Sequence, residues 1–181
     1  IIADTPNRSD GNVAVWQGPD GIVWMFYVVN YGPTWSHARA KYKISKDNGY
    51  TWSDSDVIGF EPGSMVRSRP ILLNDGDFLL PMYHETGEDP EKTDPDTSSY
   101  FLRYNSAAKT WTETNRITSK TGNLQASPVQ IDDKFLVAYL RCGGNYLSDP
   151  TRFMYRSESR DGGKTWSMGE TTEFKNPNSA G

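Results

Sequence analysis

The chain has 181 residues and a formal net charge of −4 at pH 7, and its basic residues are scattered, which argues against nucleic acid as a partner. Two histidines and one cysteine, Cys142, exclude a Cys/His zinc cluster and an internal disulfide. No run of about 18 apolar residues is present, so the sequence predicts no membrane span. Its 16 glycines, 11 prolines and 13% aromatic residues favour many short strands joined by turns.

The first predicted unit covers residues 12–60. It alternates strand-like segments, rich in β-branched and aromatic residues, with turn sequences such as Gly18-Pro19-Asp20-Gly21. Almost no segment carries a helical period. The predicted strands of this unit are 12–16, 22–29, 38–44 and a short outer strand near 56–58.

The same order of elements returns twice. The second unit is predicted over 64–117 and the third over 124–174, and residues 176–181 resemble the opening of a further unit. Between two strands of the second unit, the polar segment 86–97 is predicted to be a solvated loop. A calcium site built from its acidic residues is the alternative.

An eight-residue motif, S-x-D-x-G-x-T-W, ends the third strand of the first and third units. A degenerate copy at 104–111 has Ser106 in place of Asp and Ala108 in place of Gly. Asp bonds to backbone N–H groups of its own turn, and Gly supplies a positive φ angle. We therefore predict a structural role for Ser45, Asp47, Gly49, Thr51, Trp52, Ser159, Asp161, Gly163, Thr165 and Trp166.

These repeats predict an all-β fold. Trp52, Trp111 and Trp166 are 59 and 55 residues apart. Four antiparallel strands per repeat of this length are typical of a β-propeller blade. The chain is thus predicted to hold three blades of a propeller that has six when complete. Unpaired edges of such a piece predict a homodimer, or a partner chain, that completes the ring.

Polar residues are predicted to gather at the end of the blades opposite the eight-residue motif. In an antiparallel blade, the start of the first strand and the end of the second lie at that end. Arginine there suits a carboxylate ligand, because its guanidinium forks onto both oxygens. A Tyr beside a Glu can form an activated nucleophile. The candidates are Asn12, Arg67, Arg69, Tyr83, His84, Glu85, Gln125, Arg141 and Asn178.

The eight-residue motif resembles the Asp-box of sialidases. Beyond it, the chain resembles the interior of bacterial predicted neuraminidases with a BNR-repeat, sialidase-like propeller. The resemblance implies a glycan or acidic sugar as partner, no cofactor and no metal, and it favours a secreted or periplasmic protein. The matching stretches are 11–13, 20–27, 69–71, 79–85, 125–128 with Arg141, and 176–179.

The resemblance implies an exo-acting glycoside hydrolase for an acidic sugar such as sialic acid. Sialidases hold the sugar carboxylate with three arginines, and Arg69-Pro70-Ile71 is similar to the motif that carries the first, so Arg69 and Arg141 are the candidate carboxylate ligands. Glu85 and Tyr83 are the candidate catalytic residues. The family's third arginine, acid Asp and nucleophilic Tyr are expected outside these units or absent, and the units alone are expected to be inactive. The remaining substrate-binding candidates are Arg67, His84, Gln125 and Asn178.

The alternative function is a carbohydrate-binding or protein-interaction propeller without catalysis. Arg69 is then a structural arginine that bonds carbonyls between blades, and Arg141 pairs with a neighbouring acid. Tyr83 packs in the core, while His84 and Glu85 form a solvated strand end.

Overall fold

The computed structural model describes residues 1–59, 61–89, 92–145, 147 and 149–176, and they form antiparallel strands with one short 3₁₀ helix at Trp35–His37. The predicted all-β fold is confirmed. No helix among these residues is long and apolar enough to cross a membrane. The strands are β1 (Ser9–Gln17), β2 (Val23–Asn30), β3 (Ala38–Ser45), β4 (Asp56–Val57), β5 (Ser64–Val66), β6 (Ile71–Leu72), β7 (Phe78–His84), β8 (Lys92–Thr93), β9 (Ser98–Asn105), β10 (Thr110–Glu113), β11 (Asn123–Gln130), β12 (Leu136–Cys142), β13 (Gly144–Asn145), β14 (Phe153–Ser159) and β15 (Glu170–Lys175).

Three sheets follow one another along the chain. The first has the order β1-β2-β3-β4 and the third has the order β11-β12-β14-β15. In the second sheet, β5 and β6 both pair with β7, which is followed by β9 and β10. The prediction of three blade-like sheets is therefore confirmed. Their closure into a six-bladed ring and the predicted unit boundaries remain predictions.

The polar segment 86–97 differs from the sequence prediction. Its strand β8 pairs with β13 in a small two-stranded sheet, with Thr93 opposite Gly144. Thr93 and Thr97 are buried, and the Thr86 amide donates to the Thr97 hydroxyl at 3.2 Å. The expectation of a solvated loop is wrong for this part, because backbone pairing ties it to β13 and a threonine hydroxyl bond holds its two ends together.

Two apolar cores lie between consecutive sheets. Trp111 of the second sheet packs edge-on against Trp24 of the first, with ring centroids 5.9 Å apart. Trp166 of the third sheet stacks on Phe101 of the second at 4.4 Å. Burial of a large side chain contributes roughly 1.5–3 kcal/mol. The tryptophans that close the second and third copies therefore join their sheets to the preceding ones.

The two intact motif copies form turns held by their own side chains. The Asp47 carboxylate accepts the Thr51 amide at 2.8 Å and the Thr51 hydroxyl at 2.6 Å. The Gly49 amide donates to the Ser45 hydroxyl at 2.8 Å, and Gly49 has a φ of 90°. The copy at 159–166 repeats these bonds with Asp161, Thr165, Gly163 and Ser159.

Candidate functional site

Glu85 follows β7 and is positioned by the turn before β5. Its amide donates to the Gly63 carbonyl at 2.9 Å, and the Gly63 amide donates to Ala38 of the first sheet at 2.9 Å. The residue is only 8% exposed. Burial raises the pKa of the Glu85 carboxyl to about 7, although the positive charge of Arg141 acts in the opposite direction. Glu85 can therefore exchange a proton near neutral pH.

Arg141 lies near the end of β12, and its charge interacts with Glu85, Tyr83 and Arg67. Its Nη1 donates to Gln125 Oε1 at 3.2 Å. Its Nε is buried and has no hydrogen-bond partner among the described residues. Burial lowers the pKa of the guanidinium, while Tyr83 and Glu85 raise it. A buried, unpaired N–H donor is costly, so this group favours an acceptor that a ligand can supply.

Tyr83 occupies the same face of β7 as Glu85, since residues two apart on a strand share a face. It is 2% exposed, and its hydroxyl accepts a hydrogen bond from Asn12 Nδ2 at 3.2 Å. Burial and the negative charge of Glu85 raise the pKa of the phenol, whereas Gln125, Arg67 and Arg141 lower it. The phenol is therefore protonated at neutral pH.

The structure brings together five of the predicted site residues. Glu85, Tyr83, Arg141 and Gln125 interact with one another, and Asn12 from the first sheet completes the group. Arg67 is exposed but close enough for its charge to act on Tyr83 and Arg141.

The other predicted site residues lie elsewhere. Arg69 is exposed and lines a cavity of about 430 Å³ with Trp16 and Ser127. His84 points to the other face of β7, where its Nε2 is 3.7 Å from Glu61. Asn178 lies outside the described residues. Glu85 is not the solvated strand end of the alternative interpretation, because it is buried.

Gly63 was not among the predicted site residues, and Asn12 was predicted without its left-handed conformation. Gly63 has a φ of 83°, but Glu-Pro-Gly is equally typical of an ordinary surface turn. Asn12 has a φ of 50° inside a strand, and no local pattern predicts a left-handed residue there. Together the site offers one buried carboxyl, one phenol, a partly unpaired guanidinium and two carboxamides. Such groups can bind a polar anionic ligand and move a proton.

Three consecutive antiparallel sheets, joined by Asp-box tryptophans and with a polar site at their opposite end, define a sialidase-like propeller fold. The BNR repeat-like domain model matches residues 1–181. The chain therefore belongs to the BNR repeat-like family. Among curated proteins, none matches the sequence.

Solved structures with the same fold include two sialidases. A protein of unknown function from Dyadobacter fermentans has a TM-score of 0.73 and 18% identity, with 97% of this chain and 54% of that one covered. NanB sialidase from Streptococcus pneumoniae has a TM-score of 0.69 and 11% identity, covering 97% and 41%. Hadza microbial sialidase Hz136 has a TM-score of 0.67 and 17% identity, covering 93% and 34%. The chain thus spans about half or less of the length of these proteins.

Proposed function

We propose that the complete propeller is a glycoside hydrolase of the sialidase type. It acts on an acidic sugar such as sialic acid. The observation that carries this proposal is the buried Glu85 carboxyl beside a guanidinium, Arg141, whose Nε has no partner in the part of the chain that the structure describes. Arg141 binds the sugar carboxylate, with Arg67 contributing charge at the exposed edge. Glu85 accepts or donates the proton, since its pKa of about 7 suits acid–base catalysis at neutral pH.

In this proposal Arg69 does not bind the sugar carboxylate, which is the role that the sequence favoured. Its cavity is lined by Trp16, Ser127 and two prolines, and none of its lining residues belongs to the group around Glu85. Among the described residues, Arg69 has no hydrogen bond or ion pair with Glu85. We therefore assign it to the wall formed by the innermost strands, and the carboxylate to Arg141 and Arg67.

Binding of N-acetylneuraminate tests the proposal, with lactose as the neutral control sugar. We expect NMR titration to shift the Arg141 Nε–H resonance with N-acetylneuraminate and not with lactose. Arg141→Lys should weaken binding about 10-fold, because an ammonium cannot form the bidentate pair. Arg160→Lys, at an exposed arginine of the third sheet's Asp-box, is the matched control and should bind as the parent does. Equal binding of both sugars, or of neither, would contradict the proposal.

A non-catalytic carbohydrate-binding propeller is the second candidate. It is favoured by Tyr83, which is 2% exposed and whose raised pKa makes it a poor nucleophile. Hydrolysis of a fluorogenic sialoside by the complete propeller separates the two. Turnover that Glu85→Gln abolishes supports the hydrolase, whereas binding with no turnover in either protein supports the binding module. The three sheets alone should bind without turnover, because half a channel cannot surround a transition state.

Completion of the ring by a second copy or a partner chain is part of the same proposal. It is supported by Val129 and Ile131 of the third sheet, which are 50% and 59% exposed. In the first sheet, Met25, Tyr27 and Val29 are buried against Ala3 and Trp52, but Val13 and Val15 of β1 are 58% and 48% exposed. Light scattering should therefore give more than the 20.4 kDa of one chain; a monomer at micromolar concentration would reject completion by a second copy.

A further inference from the structure

Two of the innermost strands carry the same irregularity at the candidate site. In β1, Gly11 pairs with Val28 and the register then shifts before Ala14. In β11, Leu124 pairs with Arg141 and the register shifts before Ser127. In each strand, the next residue after the last regularly paired one has a left-handed backbone conformation. Asn12 has a φ of 50° and Gln125 has a φ of 55°. Each strand therefore bulges at the equivalent position of its sheet.

Glycine would occupy the left-handed position of such a bulge with the least backbone strain. Without a Cβ atom, glycine adopts positive φ at no steric cost, whereas a residue such as Gln is strained there. Asn tolerates this region better than most residues, but Gln shares little of that tolerance. The two side chains thus stand where the backbone alone would favour glycine, which points to a role for the carboxamides themselves.

Both carboxamides reach Tyr83, which lies on the sheet between them. Asn12 Nδ2 donates to the phenol oxygen at 3.2 Å from the first sheet. Gln125 acts on the same oxygen from the third sheet and favours its ionised form. The Oε1 atom of Gln125 accepts from Arg141 Nη1 at 3.2 Å, which leaves its NH₂ group as the donor that lowers the pKa of Tyr83.

We propose that Asn12 and Gln125 are positioning residues, whose left-handed bulges aim two amide N–H donors at the Tyr83 oxygen. Two donors occupy the acceptor directions of the phenol, so the hydroxyl proton points away from them and negative charge on the oxygen is stabilised. Because Gln125 also holds Arg141, one carboxamide couples the phenol to the guanidinium. The relevance of this arrangement to catalysis rests on the proposed function, but the arrangement itself does not.

The test combines the thermal midpoint with the Cζ resonance of Tyr83 in protein labelled with [¹³Cζ]tyrosine, assigned by Tyr83→Phe. Asn12→Gly and Gln125→Gly remove the amides and relieve the backbone strain. We expect an unchanged or higher Tm and a shifted Tyr83 resonance in both variants. Asn48→Gly relieves a comparable φ of 60° in the first Asp-box and should leave the Tyr83 resonance in place.

A second pair of variants keeps the test decisive if the glycine variants fold poorly. Asn12→Asp and Gln125→Glu retain the shape of the side chains but remove the N–H donors, and they should also shift the Tyr83 resonance. An unmoved resonance in the folded Asp and Glu variants would overturn the proposal. These readouts need no ligand, so failure of N-acetylneuraminate to bind would contradict the proposed function and leave this result intact.

Discussion

The Glu85 amide donates a hydrogen bond of 2.9 Å to the carbonyl of Gly63, and this bond sets where the candidate carboxyl stands. Gly63 in turn donates to Ala38 at the start of β3, so the end of β7 is tied to the first sheet. A Cβ atom on Gly63 would lie 2.2 Å from the Glu85 carbonyl oxygen. Glycine is therefore required at this position for two reasons, the contact and the φ of 83°.

Gly63→Ala should destabilise the protein and displace Glu85. We expect a loss of about 2–4 kcal/mol, since backbone strain and overpacking each cost about 1–3 kcal/mol. Gly76→Ala is the matched control, because Gly76 has a φ of 86° but open space around a Cβ atom. It should cost only about 1 kcal/mol. Urea denaturation measures both values, and equal losses would show that the contact with Glu85 is unimportant.

Glu85→Gln should remove a pH-dependent loss of stability. The folded pKa of about 7 lies above the ordinary value of 4.5, so the unfolded chain ionises first as pH rises. Folding is then disfavoured progressively between pH 4.5 and about 7, by at most roughly 3 kcal/mol. The parent should lose stability over this interval, while the variant should change much less. Urea midpoints at pH 5 and pH 8 check this, and parallel curves for both proteins would contradict the raised pKa.

The repeat could be predicted because its signals are local in sequence. Asp47 and Thr51 are four residues apart and bond directly, so the Asp-box turn follows from the residues it contains. The turn of the degenerate copy at 104–111 could not be predicted in the same way. There Lys109, not Ala108, takes the left-handed conformation with a φ of 59°, and the Ser106 amide bonds to Asp77 of the neighbouring hairpin. A partner 29 residues away cannot be inferred from the motif.

The candidate site could be predicted where simple strand alternation holds. Tyr83 and Glu85 lie on one face of β7 and His84 lies on the other, where it meets Glu61. Arg69 lies apart from this group because the first strand of the second sheet is interrupted. Val66 pairs with Met82 and Ile71 with Leu79, so two extra residues intervene and Arg69 moves away from the site. Pro70 lies in this interruption and has no backbone N–H for the ladder, but a proline alone does not predict how many residues are left unpaired.

The Asp-box carboxylates should make the protein sensitive to acid. Hydrogen bonds from the Thr51 hydroxyl and amide lower the pKa of Asp47 to about 2. For Asp161, burial alone would raise the pKa, but bonds from Thr165 and Ser159 outweigh it and lower the pKa to about 2. Because both folded values lie below the ordinary 3.8, the stabilisation is complete above that pH and is lost as pH falls towards 2.

Asp47→Asn and Asp161→Asn test this acid dependence. Each variant should have a lower Tm than the parent at pH 6, and the difference should shrink as pH falls from 4 to 2. Asp54→Asn changes an exposed carboxylate outside the Asp-box motif, for which no bond to its own turn is found, and serves as control. Thermal denaturation followed by circular dichroism measures all three. A difference from the parent that is constant with pH would show that the carboxylate charge does not stabilise the turn.

Arg103 joins the second sheet to the Asp-box turn of the third. Its Nε donates to Asp77 at 3.0 Å, its Nη2 pairs with Asp75, and its Nη1 donates to the Gly162 carbonyl at 2.5 Å. The side chain is 13% exposed, so these bonds are largely shielded from water. One planar guanidinium thus serves two carboxylates of its own sheet and one carbonyl of the next, and its fork spans these three acceptors better than the single nitrogen of an ammonium does.

Arg103→Lys should therefore loosen the contact between the second and third sheets. We expect a loss of about 2–4 kcal/mol, because truncating one partner leaves a largely buried carboxylate unpaired. Arg156→Lys removes the guanidinium of a pair with Glu158 within the third sheet, where the side chain is 34% exposed, and should cost under about 1 kcal/mol. Urea denaturation gives both values, and hydrogen exchange at Gly163 should rise only in the Arg103 variant. Equal losses in the two variants would mean that the bond to Gly162 contributes nothing to the joint, because only Arg103 spans two sheets.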